Sequence, residues 1–92
     1  MVTALVLMNV KRGAINETAQ ELLAIPGVAE VYSVTGEYDL VALLRLAQYE
    51  DLADVVTARM IALDGITRTQ TLMAFKAYSR EDLQQAWDIG VE

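Results

Sequence analysis

The sequence predicts an α+β fold with the element order β-α-β-β-α-β, followed by a C-terminal helix. The first evidence for this order is a weak internal repeat. Residues 19–28 (AQELLAIPGV) and residues 57–66 (TARMIALDGI) each contain the end of a helical stretch followed by a similar turn. The same offset aligns the apolar run Thr3–Met8 with Val41–Leu46, and such repeats usually mark a structural unit used twice. This order is the split βαβ arrangement of the ferredoxin-like fold, in which two helices cover one face of a four-stranded antiparallel sheet.

Four strands are expected. Ala4–Val10 and Leu40–Leu46 are almost continuously apolar, which is typical of central strands covered on both faces. Val28–Thr35 is less uniform and suits an outer strand. Ile66–Tyr78 begins polar and becomes apolar at Leu72, and its threonines favour a pleated, half-buried surface.

The first helix is expected between the first two strands. Its entry lies between Gly13 and Asn16, with Asn16 as a candidate N-cap, and Pro26 ends it near Ile25. Helical spacing places four apolar residues on its inner face: Ile15, Ala19, Leu22 and Leu23.

The second and third helices follow by the same reasoning. Gly65 is expected to stop the second helix, and acidic side chains crowd its first turn, where the helix dipole favours them. Its inner face comprises Leu52, Val55, Val56, Met60 and Leu63.

A third helix is expected after Ser79, which with Asp82 resembles a capping box. It would present Leu83, Ala86 and Trp87 as a short apolar face. Three methionines, Met8, Met60 and Met73, are expected to fill the core. The chain therefore divides into a domain over residues 1–78 and a helical tail over residues 79–92.

The central strands also predict an assembly. Helices on one face leave the second apolar face of these strands bare, and a patch of that size is unusual on a monomer. We therefore expect a homodimer that packs sheet against sheet, or a larger assembly, with Leu5, Leu7 and Leu43 buried between the copies.

Composition excludes several classes of function. With 92 residues, of which 54% are hydrophobic, the chain is a single small globular domain. Seven basic and thirteen acidic residues give a net charge of −6, which opposes binding to nucleic-acid phosphates. Cysteine and histidine are both absent, which excludes thiol nucleophiles, zinc fingers and histidine general bases, so no metal or cofactor is expected. The apolar run Val2–Met8 is too short to cross a membrane and lacks the flank of a signal peptide, so no membrane contact and a cytoplasmic location are expected.

The candidate site is the hairpin Thr35–Leu40 (TGEYDL). Gly36 is expected to adopt a backbone conformation that other residues resist, and Tyr38 and Asp39 lie where the chain re-enters the sheet. Asp39 has two possible roles: its carboxylate can bind a ligand, or it can accept hydrogen bonds from turn amides. Arg68 likewise can bind a carboxylate by its fork or act as an exposed edge-strand charge.

The elements PGV at Pro26–Val28, VTGEYDL at Val34–Leu40, LDGI at Leu63–Ile66 and TRTQT at Thr67–Thr71 resemble the effector-binding half of the leucine-responsive regulator (Lrp)/AsnC family, the RAM domain. The resemblance covers about Val2 to Ala77. It implies a ferredoxin-like fold that dimerises sheet against sheet and associates into rings, typically octamers, with amino acids or related metabolites bound between subunits. It also implies a ligand site formed by Gly36, Tyr38 and Asp39, with Thr69 and Thr71 nearby.

The resemblance also carries an expectation about partners. Full-length family members have an N-terminal helix-turn-helix domain, and here the first strand begins at once. The chain is therefore expected to be a stand-alone RAM protein that binds an effector and modulates full-length regulators without reading DNA.

Two other functions share this element order. A dimeric α+β-barrel enzyme, such as a small mono-oxygenase or isomerase, uses the same arrangement, although the missing acid–base residues disfavour it. A pure assembly subunit without a ligand is the third possibility.

Overall fold

The structure is a computed structural model, which describes residues 1–78 and residue 80. Its four strands are β1 (Val2–Val10), β2 (Val28–Ser33), β3 (Leu40–Leu46) and β4 (Ile66–Met73). They form one antiparallel sheet in the order β2-β3-β1-β4. The two most apolar strands are thus central, as the sequence predicted, and the ferredoxin-like fold is confirmed.

Two helices connect these strands. Helix α1 spans Ile15–Leu23. Helix α2 comprises residues 51–60, which begin as an α-helix over Asp51–Ala53 and continue with π-helical hydrogen bonds over Asp54–Met60. A π-helix bonds each carbonyl to the amide five residues on. Val55 and Met60, five residues apart, are therefore both directed to the core, where they are buried.

The core lies on one face of the sheet. The buried strand residues alternate along β1 and β3, and both helices contribute side chains to the same cluster. The fully buried members are Ala4, Val6, Met8, Leu22, Ala42, Leu44 and Met60. The helices therefore cover this face, and the opposite face, here called the open face, has no cover within the described chain.

Three predictions about α1 and the core were wrong. The helix begins after Ala14 without a side-chain cap, so Asn16 is inside the helix rather than at its N-cap. Leu23 is 53% exposed, and Thr18 occupies the inner face instead. Met73 is 36% exposed, because β4 is the edge strand and only one neighbour covers it.

Three strand ends also differ from the prediction, and the first is the start of β1, which is at Val2 instead of Ala4. β4 ends at Met73 because its partner β1 begins at Val2, and the Ala74 amide makes the last bond of the pair to the Thr3 carbonyl at 3.0 Å. β2 ends at Ser33, opposite Leu40, where the hairpin begins. The predicted third helix, its Ser79 cap and Trp87 lie outside the described residues. Within the described part of the chain, no helix has both the length and the apolarity needed to cross a bilayer.

The repeat places a glycine at equivalent positions, Gly27 and Gly65, and both are sites of close packing. A Cβ on Gly27 would lie 2.5 Å from Leu46 Cδ2, and one on Gly65 would overlap Thr18 Oγ1. Gly65 was predicted to stop α2, but α2 ends at Met60. Gly65 instead marks the point where the chain passes against α1, and its carbonyl accepts a bond from the Lys11 amide at 2.8 Å.

Replacing Gly65 with alanine is expected to destabilise the fold by about 1–3 kcal/mol, the usual range for overpacking. The cause is the overlap with Thr18 Oγ1, so Thr18→Ala should restore most of the loss in the double variant. Urea unfolding of the wild type, both single variants and the double variant measures this coupling. Simple additivity of the two single effects would show that the contact with Thr18 is not the cause.

Candidate functional site

The hairpin between β2 and β3 adopts the expected turn. Gly36 has a φ of 108°, a conformation that L-residues with a Cβ rarely adopt. The Val34 amide donates to the Asp39 carbonyl at 3.0 Å and closes the six-residue connection. The loop therefore projects from one end of the sheet with Tyr38 and Asp39 half-buried at its base.

Asp39 joins the hairpin to β1. Its amide donates to the Met8 carbonyl, and its carboxylate Oδ2 accepts from the Val10 amide, both at 2.8 Å. The ladder between β1 and β3 ends at the pair Met8–Leu40, so the Asp39 side chain supplies the acceptor that β3 no longer offers to Val10. Asp39 therefore has a structural role, but the donor is an amide of β1, 29 residues away, and not an amide of the turn as predicted. The second carboxylate oxygen has no hydrogen-bond partner among the described residues.

Tyr38 joins the hairpin to β4. Its hydroxyl donates to Gln70 Oε1 at 2.5 Å, and Arg68 Nη2 donates to the same hydroxyl at 3.4 Å. The Arg68 guanidinium carbon lies 5.4 Å from the centre of the Tyr38 ring, within the range of a cation–π interaction. A further bond at 2.7 Å, from Asn9 Nδ2 to the Glu37 carbonyl, holds the loop over β1.

Thr69 and Thr71 lie on the other side of β4. They pair with Met8 and Val6, whose side chains are buried beneath the helices. Arg68 and Gln70 alternate with them and therefore belong to the open face, where they meet Tyr38. Within one chain the structure brings together Gly36, Tyr38 and Asp39, but places the two threonines on the opposite face.

Thr71 instead lines a groove between α2 and the free edge of β4. The groove has a volume of about 510 Å³ and a mostly apolar wall. Its other lining residues are Tyr49, Glu50, Leu52, Ala53, Val56 and Thr57. No pattern in the sequence indicated this groove, because it depends on how far α2 stands from the edge strand.

Asp51, in the acidic first turn of α2, has a structural role. Asp51 Oδ2 accepts from the Gln48 amide at 3.2 Å and so closes the turn before the helix. Among the described residues, no three side chains of the metal-binding types lie close enough to hold an ion. The basic residue Lys11 pairs with Asp64 at 3.3 Å on the surface.

The open face carries a row of leucines. Leu43, Leu5 and Leu72 face one another in register across β3, β1 and β4. Val41 and Leu7 form the next row towards the hairpin. Tyr32 on β2 is 49% exposed at the border of this face, and its hydrogen bond to Glu30 raises its pKa above the ordinary value, so it stays neutral.

The sequence left two roles open for Arg68, carboxylate binding or an exposed charge on an edge strand. It did not indicate that Gln70 and Asn9 contact the hairpin. Period-two alternation along TRTQT separates Arg68 and Gln70 from Thr69 and Thr71, and this signal was available. Which of the two sets would meet the hairpin depended on the path of the loop over β1. That path is set by the Asn9 and Asp39 contacts, which no pattern in the sequence indicates.

The chain is similar to a known family of regulators. The family described as the Lrp/AsnC ligand binding domain matches residues 3–83. The HTH-type transcriptional regulator FL11 of Pyrococcus furiosus is 31% identical over 77 residues, which cover 84% of this chain and 50% of the regulator. The chain therefore spans about half the length of the curated relatives it matches.

Two solved structures have similar folds. TTHA0845 from Thermus thermophilus is 50% identical with a TM-score of 0.82, and the match covers 87% of this chain and 100% of that one. A feast or famine regulatory protein (Rv3291c) from M. tuberculosis, solved in complex with L-methionine, is 26% identical with a TM-score of 0.72. That match covers 87% of this chain and 54% of the mycobacterial chain.

Proposed function

The chain belongs to the Lrp/AsnC ligand binding domain family, and from this premise we propose that it binds an amino acid or a related small metabolite at the boundary between its subunits. Binding would shift its assembly and so modulate full-length transcription regulators of the family. The mycobacterial structure in complex with L-methionine supports an amino acid as the class of effector.

One observation carries this proposal: the state of the Asp39 carboxylate. One oxygen is held by the Val10 amide, which fixes the position of the group, and the other has no partner among the described residues. A half-buried, oriented carboxylate with a free oxygen is suited to bind an ammonium group. Gly36 and Tyr38 of the same hairpin would shape the pocket. Thr69 and Thr71 stay predictions, because in one chain they lie on the other face of the sheet.

The proposed assembly starts from a homodimer formed by the open face. The rows of leucine and valine on this face are only partly covered by their own chain, and a second copy of the same sheet would bury them. The hairpin lies at one end of this face, so its side chains would stand at the rim of the interface. Association of these dimers into a ring, such as an octamer, would add further subunit interfaces near the hairpin.

The proposal assigns no DNA contact to this chain. A net charge of −6 opposes the phosphate backbone, and the basic Lys11 is already paired with Asp64. Enzymatic activity, the alternative considered from the sequence, is not supported. The matching family is a regulatory ligand-binding domain, and the curated relatives are named as transcriptional regulators.

Removing the charge of Asp39 is expected to weaken effector binding about ten- to a hundred-fold, because a hydrogen bond to a charged group is worth about 1.5–3 kcal/mol. Asp39→Asn keeps an oxygen that can accept from the Val10 amide, so the hairpin should persist. A thermal-shift screen of the twenty common amino acids selects the ligand, since saturation at 100 times Kd stabilises by about 2.7 kcal/mol. Calorimetric titration then compares the variant with the wild type.

Glu37→Gln is the matched control, because it removes an equal charge from an exposed position of the same hairpin. It should leave the affinity within about twofold, since a solvent-exposed charge contributes little. Equal affinities of Asp39→Asn and the wild type would assign Asp39 a structural role only.

A further inference from the structure

Three polar groups lie side by side at the hairpin end of the sheet: Arg68 on β4, Asn9 on β1, and Asp39 in the hairpin just before β3. Asn9 on β1 is in register with Arg68 on β4. On the other side of β1, the Asp39 amide bonds to the Met8 carbonyl and its carboxylate to the Val10 amide. The sheet therefore presents, in this order, an anion, an amide and a cation. A zwitterion has the complementary pair of charges.

Arg68 is positioned but not neutralised. Its guanidinium stacks against the Tyr38 ring at 5.4 Å, and its bond to the Tyr38 hydroxyl is long, at 3.4 Å. Among the described residues no carboxylate lies within salt-bridge distance of it. A guanidinium has five N–H donors, so most of them have no acceptor within the described part of the chain. Tyr38 is itself fixed by Gln70, which limits the conformations available to the arginine.

We propose that Arg68 binds the carboxylate of the effector, while Asp39 binds its ammonium group. This inference rests on the proposed function and narrows its ligand class to molecules with a free α-carboxylate. The fork of an arginine matches the two oxygens of a carboxylate, and lysine cannot reproduce this geometry. Amino-acid amides and simple amines would keep the contact with Asp39 and lose the contact with Arg68.

The competing role for Arg68 is an exposed charge that protects the edge strand β4 from pairing with other chains. That role makes no distinction between ligands. A loss of binding in an Arg68 variant does not by itself distinguish the two roles. They are distinguished by comparing the amino acid with a ligand that lacks only the carboxylate charge.

The experiment uses the full chain and the amino acid that gives the largest thermal shift among the twenty, together with its α-carboxamide. Calorimetry should show that Arg68→Gln weakens binding of the free amino acid about ten- to a hundred-fold and changes the affinity for the carboxamide less than about twofold. Arg68→Lys should give an intermediate loss. Arg45→Gln, which alters an exposed arginine on β3 at the other end of the sheet, should leave both affinities unchanged.

Each other outcome has a definite meaning. Equal losses for the amino acid and the carboxamide in Arg68→Gln, or unchanged affinity for both, would overturn the role of Arg68 and leave the proposed function standing. A wild type that binds none of the twenty amino acids would overturn an amino acid as the effector, and this inference with it. Light scattering of each variant checks that the assembly itself is the same as in the wild type.

Discussion

Replacing Leu43 with aspartate is expected to convert the protein from an assembly into single chains. Leu43 lies at one end of the leucine row on the open face, between Glu30 of β2 and the paired Leu5 of β1. In a two-fold dimer the substitution occurs twice, so it would bring two unpaired carboxylates into one apolar interface. Burying an unpaired charge costs several kcal/mol, and burial of each leucine contributes about 1.5–3 kcal/mol that is also lost.

Light scattering at micromolar concentration measures this effect. The wild type should have at least twice the 10.1 kDa of one chain, and Leu43→Asp should have the mass of one chain. The fold should persist, because in one chain Leu43 is only half-buried and packs outside the core cluster. Circular dichroism checks that the sheet is retained.

Leu23→Asp is the matched control for this prediction. It makes the same chemical change at a leucine that is 53% exposed on α1, on the side of the sheet away from the open face. It should leave the mass of the assembly unchanged. A wild type of 10.1 kDa, or a Leu43→Asp variant that keeps the wild-type mass, would show that the open face is not the dimer interface.

Replacing Leu22 with alanine is expected to destabilise the fold by about 2–5 kcal/mol, the range for a large-to-small change in a core. Leu22 is fully buried among the core residues beneath α1. Its neighbour Leu23 is 53% exposed, so Leu23→Ala should change the free energy of unfolding by about 0.5 kcal/mol or less. The two variants make the same chemical change at adjacent positions, so together they test which side of α1 faces the core.

Urea unfolding at one fixed protein concentration measures both variants, because association of the chains adds to the apparent stability. Similar losses for the two variants would mean that Leu23 is buried as well, either by the sheet or by a neighbouring copy. A larger loss for Leu23→Ala would show that the inner face of α1 is wrongly placed.

The strands illustrate what could be predicted from the sequence. The bounds of β3, Leu40–Leu46, agree with the prediction at both ends, and both central strands were identified by their continuous apolar runs. These features are local, because an apolar run is visible in the sequence of the strand itself. The far end of β4 could not be predicted in this way, since it depends on where β1 begins.

The candidate site also has a part that the sequence predicts and a part that it does not. The hairpin with Gly36, Tyr38 and Asp39 could be found from a short motif, because a tight turn restricts the residues that form it. The residues that contact this hairpin could not be found from a short motif. Asn9 is 28 residues from Glu37, and Arg68 and Gln70 are 30 and 32 residues from Tyr38.

The sequence by itself determined the order of the elements, the central position of β1 and β3, the turn at Gly36 and the sheet face that neither α1 nor α2 covers. Each follows from spacing along the chain, where periodicity and backbone restriction act on neighbouring residues. Only the tertiary structure decided that Thr18 rather than Leu23 is buried, that Gly65 makes room for α1, and that Tyr38 meets Arg68 instead of Thr69. These outcomes depend on how closely elements distant in sequence approach one another, and that distance is set by the packing of all their side chains together.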